Sequence, residues 1–264
     1  MTSKTTSKDG TPLAFDQIGQ GPPVILVVGA FNDRMKGAPL AAALAPHFTV
    51  FSYDRRGKGD SGDAAEYAVD REIEDLEAMI HAAGGSASVF GYSSGAVLAL
   101  RAAARPLAIT KLALYDTPPG QPSLHAAALA ALVAAGRRGD AVEYFQRKMV
   151  GIPEHVVEQL RHAPFRPALE AMAHTLVYEA KILAGDPVSP AAPLPPSLLA
   201  RIVAPTLAIV GGAGAPVMRE IAASVAQSLP RGRSLILAAE THEIVPEVLA
   251  PVLQRFFGGA SETG

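Results

Sequence analysis

Apolar residues in this chain follow two rhythms. Short continuous runs rich in valine, isoleucine and leucine recur as PPVILVVG (22–29), FTVFSYD (48–54), ASVFG (87–91), KLALYD (111–116), APTLAIVGG (204–212) and SLILAAE (234–240). Runs of this length with no polar alternation predict strands, and PPVILVVG and FTVFSYD read as strands buried on both faces. Between them the spacing changes. Val69, Ile73, Leu76 and Ile80 recur at helical intervals, and 94–104 is an almost wholly apolar helix. At the start, SKDGTPLAFDQIG (7–19) predicts a hairpin turning at Asp9 and Gly10. Strands alternating with helices predict a mostly parallel sheet covered on both faces.

One region breaks the alternation. From Pro118 to about Leu199 the pattern is helical throughout. It opens at TPPGQP (117–122) and closes in the proline-rich DPVSPAAPLPPS (186–197). Such punctuation predicts an inserted helical cap over 118–199 with a stiff return linker, set into a core of 1–117 and 200–264. The alternative is a set of ordinary surface helices.

Composition narrows the chemistry. The chain has 264 residues, 49% hydrophobic and 18% charged, with a formal net charge of −2. Near-neutral charge argues against nucleic acid. The absence of cysteine removes disulfides, thiol catalysis and thiolate metal sites. MTSKTTSKDG lacks the apolar stretch of a signal peptide, and no run is long enough to span a bilayer. A cytoplasmic protein with no membrane partner is expected.

The segment VFGYSSGAVLAL (89–100) carries G-x-S-x-G as Gly91, Tyr92, Ser93, Ser94 and Gly95. A predicted strand precedes it and a helix follows, the context in which a sharp turn lifts a serine hydroxyl above a sheet. A nucleophilic serine needs a base. Of seven histidines, His47 and His81 lie near helix ends, and His125, His155, His162 and His174 fall in the expected cap. None pairs with an acid at metal-ligand spacing, so no metal and no cofactor are expected. His242, in AAETHEIVP (238–246), follows the last strand at the carboxyl edge of the sheet, where chemistry gathers in such folds.

These segments together resemble the α/β-hydrolase family over nearly the whole chain. GQGPPVILVVGAF (19–31) resembles its early strand and oxyanion loop. YDRRGKGDSG (53–62) is similar to its D-x-R-G-x-G-x-S segment, and THEIVPEVLAPVLQRFF (241–257) to its terminal histidine loop and helix. The resemblance implies Ser93 as nucleophile, His242 as base, and an oxyanion hole at the backbone N–H groups of Ala30 and Ser94. The chain departs from the family in having Val28 for the usual histidine before Gly29, and Thr241 for the usual glycine before His242.

Most of the family carries its catalytic acid after the strand equivalent to TLAIVGG (206–212). Here that turn is Gly211, Gly212, Ala213, Gly214 and Ala215, with no side chain able to orient an imidazole. KLALYD instead ends in Asp116. In a minority of the fold, including some haloalkane dehalogenases and the zearalenone lactone hydrolases, the acid follows that strand. The resemblance therefore implies Asp116, in the order Ser93, Asp116, His242. Asp33, Glu240 and Glu243 are rivals, and Asp54 is expected to brace its own turn. The lactone hydrolases share the paired serines and the small-residue turn; this chain lacks their cap tryptophan.

The expected activity is cleavage of a carboxylic ester or lactone of a small apolar molecule through an acyl-enzyme. Phe31, Tyr92, Phe145, Met149, Phe165, Met172 and Leu176 are candidates to line the pocket. Two other classes stay open. One is a pseudoenzyme or ligand-binding member of the fold. The other reads 206–240 as strand, glycine-rich turn, helix, strand and Glu240, the layout of a dinucleotide site, although Val217 stands where a third glycine belongs.

Overall fold

The structure, a computed structural model, describes residues 2–185 and 192–259. In chain order the strands are β1 (Ser3–Thr6), β2 (Pro12–Ile18), β3 (Pro23–Val27), β4 (Thr49–Tyr53), β5 (Ala87–Tyr92), β6 (Ile109–Tyr115), β7 (Thr206–Gly211) and β8 (Gly232–Leu237). They form one sheet in the order β1-β2-β4-β3-β5-β6-β7-β8. The β1–β2 hairpin and the β2–β4 pair are antiparallel, and every later pair is parallel.

The core helices are α1 (Ala38–Leu44), α2 (Val69–Ala82), α3 (Ser94–Ala103), α9 (Pro196–Leu199), α10 (Pro216–Ser228) and α11 (Pro246–Gly258). The continuous apolar runs are explained by how they divide. In β3, Ile25 and Val27 enter the cluster beneath α2 and α3, while Val24 and Leu26 enter the cluster beneath α1 and α11. Successive strand side chains point to opposite faces, and here both faces are dry.

The segment expected as a cap, between β6 and β7, holds α4 (Leu124–Ala134), α5 (Arg138–Tyr144), α6 (Glu154–Leu160), α7 (Arg166–Ala171) and α8 (Leu176–Ile182). Helix α5 runs into a π-helical turn at Phe145–Val150, which ends at Gly151 with φ 80°. Its base is closed by a bridge between Gln121 and Ala184, and Arg101 of α3 donates to the carbonyls of Ile182 and Ala184. Residues 186–191, the first part of the expected return linker, lie outside the described residues. In its later part Leu194 is buried in the principal core, as are Leu199 and Ile202 just beyond it and Ile182 and Leu183 at the end of α8. Among the described residues no helix is long and apolar enough to cross a membrane.

Helix α3 passes so close to β3 that its second residue must be glycine. A Cβ on Gly95 would lie 2.2 Å from the Val27 carbonyl oxygen. Neither backbone can move without disturbing the sheet. Gly95→Ala should therefore cost at least about 1–3 kcal/mol, the usual penalty of overpacking. An unchanged urea midpoint would contradict this packing.

Candidate active site

Among the described residues, three that are not glycine have left-handed φ: Phe31 at 58°, Ser93 at 56° and Asp116 at 50°. Each such conformation costs on the order of 1–3 kcal/mol and persists only where its surroundings enforce it. All three follow the carboxyl ends of neighbouring parallel strands: β3, β5 and β6.

Ser93 stands between β5 and α3, at φ 56° and ψ −127°. Its N–H donates to the Tyr115 carbonyl at 2.9 Å. The register pairs Tyr92 with Tyr115, so Ser93 and Asp116 leave adjacent strands side by side. Close approach also dictates the first glycine of the elbow: a Cβ on Gly91 would lie 2.6 Å from the Cα of Ala96. In front of the elbow runs the loop after β3. Its Ala30 N–H donates to Ser94 Oγ at 3.0 Å.

Asp116 is buried, and both of its carboxylate oxygens are engaged. Oδ1 accepts the Gly211 N–H at 2.8 Å, and Oδ2 lies 2.9 Å from His242 Nδ1. The imidazole itself is half exposed, at 51% against 3% for the acid. Two of the rivals are occupied elsewhere. Asp33 caps the 3-10 turn Arg34–Gly37 by accepting the Met35 N–H, and Glu243 accepts from Lys36 at 2.6 Å at the surface. Asp54 braces its own turn, accepting the N–H groups of Arg34 and Asp60 and pairing with the Arg34 guanidinium.

The glycine turn is explained by what lies on it. A Cβ on Gly211 would be 2.3 Å from the Thr241 carbonyl oxygen and 2.7 Å from that of Glu240. The turn is small so that the histidine loop can rest on it. Its N–H groups are committed internally: Gly211 to Asp116, Gly212 to the Leu237 carbonyl, Ala213 to that of Glu240 and Gly214 to that of Gly211. A phosphate cradle needs such groups free, so the dinucleotide reading does not fit.

Two tyrosines hold the histidine loop from below. The Tyr92 hydroxyl donates to the His242 carbonyl at 2.9 Å, and the Tyr115 hydroxyl to that of Thr241 at 2.6 Å. Burial, reinforced by the Glu243 and Asp116 charges, pushes both phenols up, which keeps them donors. Tyr92 is thus a buried support behind the elbow, with its ring 5.0 Å from the imidazole, and not a pocket wall.

The other expected lining residues divide. Phe31 meets Phe145 of the π turn edge-on at 5.4 Å, and Ala30, Phe31, Phe145, Met149 and Leu176 share one apolar cluster. Phe165 is 50% exposed at the start of α7 and is not part of that cluster, while the next residue, Arg166, is buried and pairs with Glu143. Met172 ends α7, where its carbonyl accepts from the Thr175 hydroxyl, outside the cluster. A cleft of about 580 Å³ beside Lys111, Thr206 and Arg255 opens at the opposite end of the strands and shares no residue with this site. Among the described residues no group of three or more metal-ligating side chains converges.

Sequence reasoning overlooked the support of the loop after β3. Arg55 donates to the Val28 carbonyl and Lys58 to the Gly29 carbonyl. Both cations pair with Glu179 of α8. A signal existed: Glu179 interrupts an otherwise apolar stripe of Leu176, Ala180 and Leu183.

Comparison with known proteins agrees with this architecture. The sequence profile of the Alpha/beta hydrolase family matches residues 24–251. An alpha/beta hydrolase from Sphaerobacter thermophilus is 48% identical and superposes with a TM-score of 0.88, covering 97% of this chain and 100% of the other. The enol-lactonase from Burkholderia xenovorans shares the fold at 21% identity, TM-score 0.73, over 97% and 100% of the two chains. The uncharacterized hydrolase YraK of Bacillus subtilis is 34% identical over 104 residues, a match spanning 38% of each protein. With a family profile covering most of its length and a mostly parallel eight-stranded sheet flanked by helices, the chain belongs to the alpha/beta hydrolase family.

Proposed function

We propose that the protein is a serine hydrolase that cleaves a carboxylic ester or lactone of a small apolar substrate through an acyl-enzyme. The observation that carries this reading is the 2.9 Å contact between His242 Nδ1 and the buried Asp116 carboxylate, beside a serine held at left-handed φ. Asp116 fixes the tautomer that leaves Nε2 unprotonated and facing the substrate side. His242 takes the Ser93 proton through Nε2 as Oγ attacks the carbonyl carbon. The carbonyl oxygen becomes an oxyanion, received by the N–H groups of Ser94 and Ala30. Rotation of the Ser94 hydroxyl away from the Ala30 N–H frees that donor for the stronger, charged acceptor. Collapse expels the alcohol with the proton from His242. Water, deprotonated by the same imidazole, then releases the acid and regenerates Ser93.

The apolar cluster of Ala30, Phe31, Phe145 and Met149 supports an apolar acyl or alkyl group, since it offers that group no polar partner. One observation favours a second reading. The Ala30 N–H is already bonded to Ser94 Oγ, as it would remain in a member of the fold that binds a ligand without hydrolysing it.

Intact mass after treatment with a fluorophosphonate separates the two. The wild type should gain one adduct that Ser93→Ala lacks, and should turn over short p-nitrophenyl esters. No adduct and no turnover would leave the ligand-binding reading.

A further inference from the structure

The buried charges beneath the loop after β3 are an unusual thing to build beside an active site. Arg55, Lys58, Glu72 and Glu179 are all essentially inaccessible to solvent. Arg55 is held by Glu72 through two hydrogen bonds, at 2.7 and 2.9 Å. Glu179 Oε1 accepts from Arg55 at 2.9 Å and from Lys58 at 2.6 Å. Burial, with the Arg55 charge alongside, pushes the Lys58 ammonium down, while Glu179 opposes the shift. Burial alone would raise Glu179, but Arg55 and Lys58 outweigh it and hold the carboxyl down to about 2. A pair of this kind seldom out-stabilises well-packed apolar side chains. Its geometry suggests another use.

In a trans peptide the C=O of one residue and the N–H of the next lie in one plane and point in opposite directions. Fixing a carbonyl therefore aims the following N–H. Lys58 Nζ holds the Gly29 carbonyl at 3.0 Å, and the Ala30 N–H points the other way, toward the elbow. Arg55 holds the Val28 carbonyl at 3.2 Å, and the Asn32 side chain holds that of Ala30 at 2.6 Å. The loop has no slack against the nucleophile turn: a Cβ on Gly29 would lie 2.9 Å from the Cβ of Ser93.

We propose that Lys58 and Glu179 are positioning residues for the oxyanion hole, the cap carboxylate holding the ammonium that aims the Ala30 N–H. This rests on the serine-hydrolase reading above. The cap then does more than enclose the substrate. Helix α8 supplies the anion that holds the Lys58 ammonium in place, at 2.6 Å, and so completes a device whose other parts belong to the core. Oxyanion stabilisation depends on donors oriented before the reaction begins, and a loop released from Lys58 can rotate its Gly29–Ala30 peptide.

The test is steady-state kinetics of the full-length protein with a short p-nitrophenyl ester. Inhibition by a trifluoromethyl ketone, which forms a tetrahedral oxyanion adduct on the serine, and the melting temperature are measured alongside. Lys58→Met should lower kcat by about 10²–10³, the range for losing one oxyanion donor, with KM changed by less than about threefold. Its affinity for the ketone should fall by the same factor as kcat. Glu179→Gln, which keeps the shape, should show the same split to a smaller degree, and it decides the matter if Lys58→Met does not fold. A folded variant that melts earlier but keeps kcat and ketone affinity would make the cluster a cap staple only and overturn the proposal. So would a rise in KM at constant kcat. Failure of the underlying reading is distinguishable, because it appears in the wild type as absence of both fluorophosphonate adduct and turnover, and the proposal falls with it.

Discussion

Everything at this site depends on one carboxylate with two partners. Asp116 follows β6 at φ 50°, with Oδ1 on the Gly211 N–H and Oδ2 on His242 Nδ1. Hydrogen bonds to a charged group contribute roughly 1.5–3 kcal/mol each. Two of them offset the roughly 1–3 kcal/mol strain of a left-handed aspartate, and neither alone is sure to. The constraint propagates outward. Gly211 cannot carry a side chain, because the loop that delivers His242 crosses directly over it. That loop in turn needs Tyr92 and Tyr115 beneath its carbonyls. The bare glycine turn thus works together with an acid one strand earlier: it supplies an N–H to that acid and a floor for its histidine.

A second constraint is the attachment of the cap. Glu179 pairs with Arg55 and Lys58, Tyr178 stacks on Tyr67 at 3.9 Å and donates to Asp63, and Arg101 binds the base of the insertion. Helix α8 is therefore fixed to the core. Helices α4, α5 and α7 pack on it through the cluster around Leu129, Phe145 and Leu176.

How much of this was legible in the sequence follows from the range of each interaction. Strands buried on both faces announce themselves as continuous apolar runs, and a mostly parallel sheet followed from their alternation with helices. The elbow was legible because its glycines answer to local backbone crowding. Asp116 was readable as a candidate because a strand end next to an empty turn is a local pattern. The roles of Lys58 and Tyr92 were not, since each acts on a backbone carbonyl far along the chain, and carbonyls leave no mark in a sequence; Glu179 acts through Arg55 and Lys58. Phe165 stands outside the cluster of Phe31 and Phe145, because helical spacing locates a face but not what a short helix packs it against.

The central claim is that Asp116 arms His242, and kcat/KM of Asp116→Asn tests it most directly. The Gly211 N–H requires an acceptor on its side of residue 116, so an asparagine there would present its NH₂ to His242 Nδ1 and impose the tautomer that cannot act as base. The account predicts a folded protein with turnover reduced by about 10⁴, as when the acid of a serine triad is so changed, while Asp33→Asn and Glu243→Gln stay near wild type. A wild-type rate in Asp116→Asn, or a collapse in either control, would place the acid elsewhere and contradict it.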